Sequence, residues 1–228
     1  MWAEKRIIYD ITPFSLLDFP DITSCILWFA GCNMRCSYCY NPDIVFGKGK
    51  TRIADALLFI ESRKGLLDGV VLSGGECTLY KEIIPLANEI KKNGMLLKID
   101  TNGSHPERIQ ELVEQNLIDY VSLDFKALPH KFEAITQSNC YNKFEQTLAL
   151  LQKSGIPFEV RTTFHSALFS ERDLTAMTNH LASLGYSGKY YLQNFVNDTK
   201  TIDDIQQRHK KMEAFHRSEH PIKVVVRN

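Results

Sequence analysis

Short apolar or β-branched runs alternate along this chain with longer amphipathic stretches. Alternation at this spacing predicts a parallel sheet with helices outside it, and six units are too few for an eight-stranded barrel. We therefore predict an α/β fold built as an open, partial (β/α)6 barrel. The runs predicted as strands are 24–29, 68–73, 95–100, 119–124, 158–164 and 189–195. The stretches predicted as helices are 53–62, 80–92, 106–115, 142–153, 171–184 and 203–217.

The order of these segments favours a single domain over 1–228. The sequence contains no internal repeat, no low-complexity tract and no linker rich in Pro or Gly. Within the domain we expect an N-terminal extension at 1–23, a core at about 24–195, and a C-terminal helix and tail at 196–228. In a parallel sheet of this kind, chemistry is expected at the carboxyl ends of the strands.

The charge balance narrows the classes of partner. Lysine plus arginine and aspartate plus glutamate both number 27, so the formal net charge is zero. Proteins that hold nucleic acid by its phosphates are expected to show a basic excess, so we predict no nucleic-acid partner. No apolar run approaches the roughly 20 residues that span a bilayer, and the start lacks the pattern of a signal peptide. The sequence therefore predicts a cytoplasmic protein with no membrane partner.

Three of the six cysteines fall within eight residues, on the loop after the first predicted strand. Cys32, Cys36 and Cys39 have the spacing C-x3-C-x2-C. Strain forbids most disulfides among thiols this close, so a shared metal centre is the better interpretation. Structural zinc sites and ferredoxin-type clusters both need four protein ligands, and no fourth cysteine follows. An iron–sulfur cluster that is bound by three thiolates, with one iron lacking a protein ligand, explains the number of cysteines better.

This spacing resembles that of the radical S-adenosylmethionine superfamily. The resemblance implies that Cys32, Cys36 and Cys39 hold a 4Fe–4S cluster whose fourth iron is chelated by S-adenosylmethionine. Tyr38 matches the aromatic residue that usually precedes the last cysteine, and we expect it to lie beside the cofactor. The implied fold is the partial barrel of this superfamily. The cluster and the cofactor carry the radical chemistry, so no further catalytic residue is predicted.

The second predicted strand ends in Gly74-Gly75-Glu76. Two glycines let the backbone approach a ligand closely, and a carboxylate follows at the functional end of the strand. The tripeptide resembles the Gly-Gly-Glu of the superfamily, which implies that these three residues bind the methionine ammonium group. An ordinary turn between a strand and a helix is the alternative.

The third and fourth predicted strands end in Asp100-Thr101-Asn102-Gly103 and in Asp124-Phe125-Lys126. An aspartate at a strand end can simply cap the next helix. Together, however, the two endings resemble those of glycyl-radical-enzyme activases. The resemblance implies that Asp100, Thr101 and Asn102 contact the ribose region of the cofactor and that Lys126 faces its carboxylate. It also implies a monovalent cation held by Asp100, Thr101 and Asp124.

The fifth predicted strand carries Arg161 and, just after it, His165. By strand alternation the two side chains lie on one face with Thr163. A buried arginine needs a partner, so Arg161 is expected either to bind the cofactor carboxylate or to form a salt bridge with an acid on a neighbouring strand. Both residues are included in the predicted cofactor site.

The sequence around the cysteines also favours one kind of reaction. Residues 15–20 and Cys39-Tyr40-Asn41-Pro42 resemble segments of the activases of anaerobic ribonucleoside-triphosphate reductase, with Asp21 and Tyr40 as departures. This resemblance implies a glycyl radical enzyme as protein substrate and a small redox protein as electron donor. The alternatives are a small-molecule enzyme such as a 7-carboxy-7-deazaguanine synthase and a non-catalytic iron–sulfur electron carrier.

Overall fold

The computed structural model describes residues 2–197, 199–205 and 220–227, and within them it contains one nine-stranded sheet. The strands are β1 (Arg6–Ser15), β2 (Ser24–Phe29), β3 (Thr51–Arg52), β4 (Gly69–Gly74), β5 (Leu96–Thr101), β6 (Tyr120–Asp124), β7 (Phe158–Phe164), β8 (Tyr190–Asn194) and β9 (Val224–Arg227). The helices are α1 (Pro42–Phe46), α2 (Ile53–Ser62), α3 (Ile83–Lys92), α4 (Pro106–Glu114), α5 (Pro129–Thr136), α6 (Tyr141–Ser154) and α7 (Glu171–Ser183).

The strands lie in the order β3-β1-β2-β4-β5-β6-β7-β8-β9. Strand β1 is antiparallel to both of its neighbours, whereas every pairing from β2 to β9 is parallel. Within the described residues β3 and β9 do not pair, so the sheet is not closed. The predicted partial barrel is therefore confirmed, and its parallel part has seven strands rather than six.

All six predicted strands and five of the six predicted helices are present, with ends shifted by at most three residues. The largest shift is at α3, which begins at Ile83 rather than at Tyr80. Residues Cys77–Leu79 form a short 3-10 helix instead, and the Tyr80 hydroxyl donates to the carbonyl oxygen of Ala30 at 2.6 Å. Apart from its first three residues, the helix predicted at 203–217 lies outside the described residues.

Strands β1, β3 and β9 and helices α1 and α5 were not predicted. Strand β1 contains Pro13 and has two irregularities in its register with β2, so it lacks a clean alternation. Proline is tolerated there because β3, on the other side, pairs only with the start of β1 and does not reach Pro13. Helix α1 and strand β3 are too short to give a periodic signal.

Different parts of the chain pack on the two faces of the sheet. Helices bury the outer face, where Leu27, Leu72 and Leu97 are fully buried in the main core. On the inner face Phe19, from the loop between β1 and β2, packs with Ile26 and Val71. This loop therefore lies across the concave side of the sheet. No helix of the described part of the chain is long and apolar enough to cross a membrane.

An ion pair on the inner face of the sheet ties β9 to β7. The Arg227 guanidinium donates to both carboxylate oxygens of Glu159 on β7, at 3.0 and 3.1 Å. It also lies 3.4 Å above the centre of the Tyr191 ring. Glu159 is only 3% exposed, and Arg227 is the cation that pairs with it.

We predict that Arg227→Ala lowers the free energy of unfolding by about 1–2 kcal/mol, because the buried Glu159 side chain loses the cation that donates to it. Denaturant unfolding measures the change. Adding Glu159→Gln should restore part of the loss, because the buried group is then neutral. An unchanged unfolding midpoint in Arg227→Ala would contradict this account of β9.

Candidate functional site

A cavity of about 440 Å³ lies where the cysteine loop meets the carboxyl ends of the parallel strands. Twelve of the fourteen residues predicted for the cluster, the cofactor and the cation line this cavity, together with residues that were not predicted. The predicted residues that line it are Tyr38, Cys32, Cys36, Cys39, Gly74, Gly75, Asp100, Thr101, Asn102, Asp124, Lys126 and Arg161. Residues from the ends of four strands and from the cysteine loop thus converge on one space.

The cysteine loop is held in place by backbone hydrogen bonds to two helices. The Arg35 and Ser37 N–H groups donate to carbonyl oxygens at the end of α5, at 2.7 and 3.1 Å. The Gly31 N–H donates to the Ile44 carbonyl oxygen of α1 at 2.8 Å. Cys39 closes a turn by donating to the Cys36 carbonyl oxygen at 2.9 Å. The loop therefore has a fixed path although it lacks regular secondary structure.

The three thiols fit a multinuclear cluster better than a single metal ion. No three His, Cys, Asp or Glu side chains in the described ranges come close enough together to hold one ion. A mononuclear site needs its ligand atoms within about 2.3 Å of one centre, whereas each thiolate of a four-iron cluster binds a different iron. All three thiols nevertheless line the same cavity.

Burial favours the neutral form of Cys32 and Cys36 when no metal is bound. Burial raises the pKa of Cys32 to about 12 and that of Cys36 to about 11. A coordinated metal reverses this preference, because it binds the thiolate form. The Met34 N–H already donates toward the Cys32 sulfur at 3.4 Å, and such donors stabilise a cluster-bound sulfur. The residues present therefore fit an iron–sulfur cluster.

Tyr38 lies beside the thiols on the same wall. Its side chain is 3% exposed, and burial raises the pKa of its hydroxyl well above the usual value. The Lys126 ammonium lies 6.0 Å from the centre of its ring. The hydroxyl has no hydrogen-bond partner among the described residues.

Gly74 and Gly75 bring β4 against the cysteine loop more closely than any side chain allows. A Cβ atom at Gly75 would lie 1.8 Å from the carbonyl oxygen of Gly31. Gly74 has a φ of +114° and a Cβ there would lie 2.5 Å from the Phe29 nitrogen. In this arrangement the Glu76 N–H donates to the Gly31 carbonyl oxygen at 2.9 Å. Both glycines are required for backbone packing, in addition to lining the cavity.

Glu76 does not line the cavity; its carboxylate points into the protein and is 1% exposed. One carboxylate oxygen accepts from both the N–H and the hydroxyl of Thr78. The same oxygen accepts from the Thr101 hydroxyl at 2.8 Å. The other accepts from the Asn102 N–H at 2.7 Å. Burial raises the pKa of Glu76, and these four donors act against that rise. The carboxylate thereby ties the end of β4 to the end of β5.

Two carboxylates and three cations form a charged row across the ends of β5, β6 and β7. Arg161 bridges both acids, with its Nε 2.6 Å from Asp124 Oδ1 and its Nη2 3.3 Å from Asp100 Oδ2. Lys126 lies 2.9 Å from the other Asp124 oxygen, and Lys98 pairs with Asp100. Burial raises the pKa of Asp100, but Arg161 and Lys98 outweigh it and lower the pKa to about 2. The row carries a net positive charge.

The contacts of this row concern two predictions, the partner of Arg161 and the monovalent cation. Of the two partners open to Arg161, the structure shows the salt bridge to acids on neighbouring strands. The three predicted cation ligands are also engaged: Asp100 additionally accepts from Ser73 at 2.9 Å, and the Thr101 hydroxyl donates to Glu76. A bound monovalent cation would have to displace such partners.

His165 is the predicted side chain that the structure places away from the cavity, together with Glu76. Its ring is fully buried and makes an edge contact with Phe195, with the ring centres 4.5 Å apart. Nδ1 accepts from the Ala167 N–H at 3.1 Å, and burial lowers the pKa of the imidazole. Strand β7 ends at Phe164, so the alternation that placed His165 beside Arg161 stops one residue too early.

Several cavity residues were missed by the sequence analysis as site residues. Asp18 and Trp28 line the cavity from the β1–β2 region, and Gln193 and Asn194 line it from β8. Tyr40 lines it as well, and its hydroxyl accepts from the Val196 N–H at 2.7 Å while its ring stacks on Phe195. Asp18 and Tyr40 belong to the segments 15–20 and 39–42, whose resemblance to activase segments could have indicated that they are site residues.

Comparison with known proteins shows the family of this chain. Residues 26–173 match the family model described as the Radical SAM superfamily, and the chain belongs to that superfamily. It is 34% identical over 176 residues to a protein of Methanocaldococcus jannaschii assigned as a glycyl-radical enzyme activating enzyme, covering 75% of this chain and 73% of the relative. It is 31% identical over 161 residues to the pyruvate formate-lyase-activating enzyme of Clostridium pasteurianum, covering 68% of this chain and 66% of the relative.

Among solved structures, the chain is similar to Streptococcus suis SuiB bound to S-adenosylmethionine, with a TM-score of 0.68 and 12% sequence identity. The match covers 87% of this chain and 48% of SuiB, so the chain spans about half of that protein. At this identity the likeness concerns the fold alone. The family implies a radical S-adenosylmethionine oxidoreductase with a 4Fe–4S cluster and S-adenosylmethionine as its cofactors.

We predict that Glu76→Ala lowers the free energy of unfolding by about 3 kcal/mol, because four donors lose their buried acceptor. Glu114→Ala is the matched control, since Glu114 is exposed on α4 and its loss should change stability by less than about 0.5 kcal/mol. Denaturant unfolding of the cluster-free proteins measures both. Equal effects of the two substitutions would show that Glu76 does not join β4 to β5.

Proposed function

We propose that this chain is a radical S-adenosylmethionine activase that generates a glycyl radical in a partner enzyme, anaerobic ribonucleoside-triphosphate reductase. The observation that carries the proposal is the convergence of Cys32, Cys36 and Cys39 with the charged row in one cavity. The three thiols would hold the cluster, and the net positive row would attract the carboxylate of the cofactor. When bound, the cluster and the cofactor supply a carbon-centred radical that removes a hydrogen atom from glycine.

The residues of the chain contribute by binding and orienting. Lys126 is the cation of the row nearest to Tyr38, and it would face the methionine carboxylate. Gly74 and Gly75 leave their backbone close to the cysteine loop, where the carbonyl oxygens of the strand end can accept from the methionine ammonium. Glu76 would act indirectly, because its carboxylate fixes Asn102 and Thr101.

The other predicted contacts remain proposals on this geometry. Asp100, Thr101 and Asn102 line the cavity and would contact the ribose region of the cofactor. A monovalent cation at Asp100, Thr101 and Asp124 stays a prediction, which requires these groups to release present partners. His165 would act only through Phe195, which stacks on Tyr40.

The open side of the sheet supports a protein as the substrate. The loop between β1 and β2 lies on the concave face, and its Asp18 lines the cavity while its neighbour Leu17 is 92% exposed. Asn41 lines the cavity on the side of the cysteine loop. A glycine-containing loop of a partner could therefore enter between these two segments, with an apolar side chain available at the entrance.

We expect Cys32→Ala, Cys36→Ala and Cys39→Ala each to abolish the iron–sulfur absorption and the reductive cleavage of S-adenosylmethionine, because no spare thiolate replaces a lost ligand. Anaerobic reconstitution followed by iron and sulfide analysis measures the first effect. Cys140→Ala is the matched control, since Cys140 is half-buried outside the cavity. Zinc with no iron after strictly anaerobic purification would contradict the cluster assignment.

Mixing the reduced protein with S-adenosylmethionine and anaerobic ribonucleoside-triphosphate reductase should give the electron paramagnetic resonance doublet of a glycyl radical. A reductase in which the radical glycine is replaced by alanine serves as the control and should give no doublet. Cofactor cleavage without a doublet in any candidate glycyl radical enzyme, together with turnover of a free purine or pterin precursor, would exclude the activase function.

A further inference from the structure

A shallow groove lies on the outer side of the cysteine loop, away from the cavity. It is formed by α1, by the segment that follows α1, and by residues 200–202. We call it the basic groove and define it by Phe46, Lys48, Lys50 and Lys200, with Arg35 at its inner end. None of the roles proposed above uses these side chains.

The backbone that carries two of the lysines is fixed. The Lys50 N–H donates to the Ile8 carbonyl oxygen at 2.8 Å, and Arg6 donates to the Lys50 carbonyl oxygen at 2.6 Å. A Cβ atom at Gly49 would lie 2.3 Å from the carbonyl oxygen of Arg6, so this segment lies flat on β1. Lys48 and Lys50 are exposed and therefore point their charges outward from a rigid base.

The charge of the groove differs from that of the whole chain, in which acidic and basic side chains are equal in number. Asp43 is the one carboxylate among the groove-lining residues that the structure describes, and it pairs with Lys200 at 3.1 Å. Lys48 and Lys50 have no carboxylate of the groove beside them, and Lys50 lies 3.7 Å above the ring of Tyr9. The groove is thus a local positive patch on a neutral protein.

The groove also lies close to the cluster ligands. The Arg35 guanidinium donates to the carbonyl oxygen of Cys32 at 2.6 Å and lies 4.9 Å from the centre of the Phe46 ring. Phe46 is 61% exposed, and α1 begins three residues after Cys39. A protein seated in the groove would therefore be separated from the cysteine loop by little more than one layer of side chains.

We propose that the basic groove docks a small acidic protein that donates one electron, and flavodoxin hydroquinone is the probe of this class used in the test. This inference rests on the proposed function, which needs an electron for each reductive cleavage. In the step, flavodoxin hydroquinone loses one electron and becomes the semiquinone, and the oxidised cluster gains that electron. Opposite charges steer such encounters, and they raise association rates by about 10 to 1,000-fold at low ionic strength.

The test reverses the charge of the groove without touching the cavity. The variant Lys48→Glu/Lys50→Glu is compared with Lys153→Glu/Lys189→Glu, which makes the same change in charge beside the amino ends of β7 and β8, at the opposite edge of the sheet. Reduction of the reconstituted cluster by flavodoxin hydroquinone is followed by stopped-flow absorbance at several salt concentrations. We expect the groove variant to react at least about tenfold more slowly at low salt and to lose most of the salt dependence.

Two further measurements separate this inference from the proposed function. Dithionite, which needs no docking, should reduce the cluster of all three proteins equally; a cluster that dithionite does not reduce would count against the proposed function instead. Binding of oxidised flavodoxin to the cluster-free proteins, followed by flavin fluorescence, should weaken in the groove variant alone. Equal flavodoxin rates and affinities in the two variants would overturn the docking proposal, as would tighter binding of a 20-nucleotide single strand than of flavodoxin at the groove.

Discussion

The site depends on the close contact between the backbone at Gly75 and the backbone at Gly31. There is no room for a side chain between them, and the Glu76 N–H completes the contact by donating to the Gly31 carbonyl oxygen. This contact fixes the cysteine loop against β4. The buried Glu76 carboxylate then extends the same constraint to β5 through Thr101 and Asn102. The Asn102 side-chain amide in turn donates to Asn33 Oδ1 on the cysteine loop, at 2.9 Å.

The charged row pairs its partly buried carboxylates with cations of opposite sign. Each acid faces two cations, so the cost of removing the acids from water is offset by short ion pairs. Because the cations exceed the acids by one, the row is suited to an anionic group of a ligand. Arg161 occupies the centre of this arrangement and bridges two neighbouring strands. Its ion pairs join the ends of β5, β6 and β7.

The electron donor and the glycine substrate would approach from different directions. The cavity opens toward the concave face, where Asp18 and Leu17 lie, whereas the basic groove lies outside the cysteine loop beside β1. Helix α1 lines both spaces, with Val45 on the cavity and Pro42, Asp43 and Phe46 on the groove. Separate entrances would let a reduced donor bind while the partner enzyme occupies the cavity. The short helix α1 forms the wall between these two surfaces.

The sequence by itself determined six of the strands, five of the helices, the three cysteines and the strand ends that form the cavity. These features follow from local periodicity, from spacing along one loop, and from the rule that parallel strands end at the same edge. Only the tertiary structure decided that Glu76 points inward, that His165 lies under Phe195, that Arg161 bridges two acids, and that β9 completes the sheet. Each of these outcomes depends on the partner that a side chain or strand finds. Such partners are distant in the chain, as Asp124 and Arg161 are, and periodicity cannot rank them.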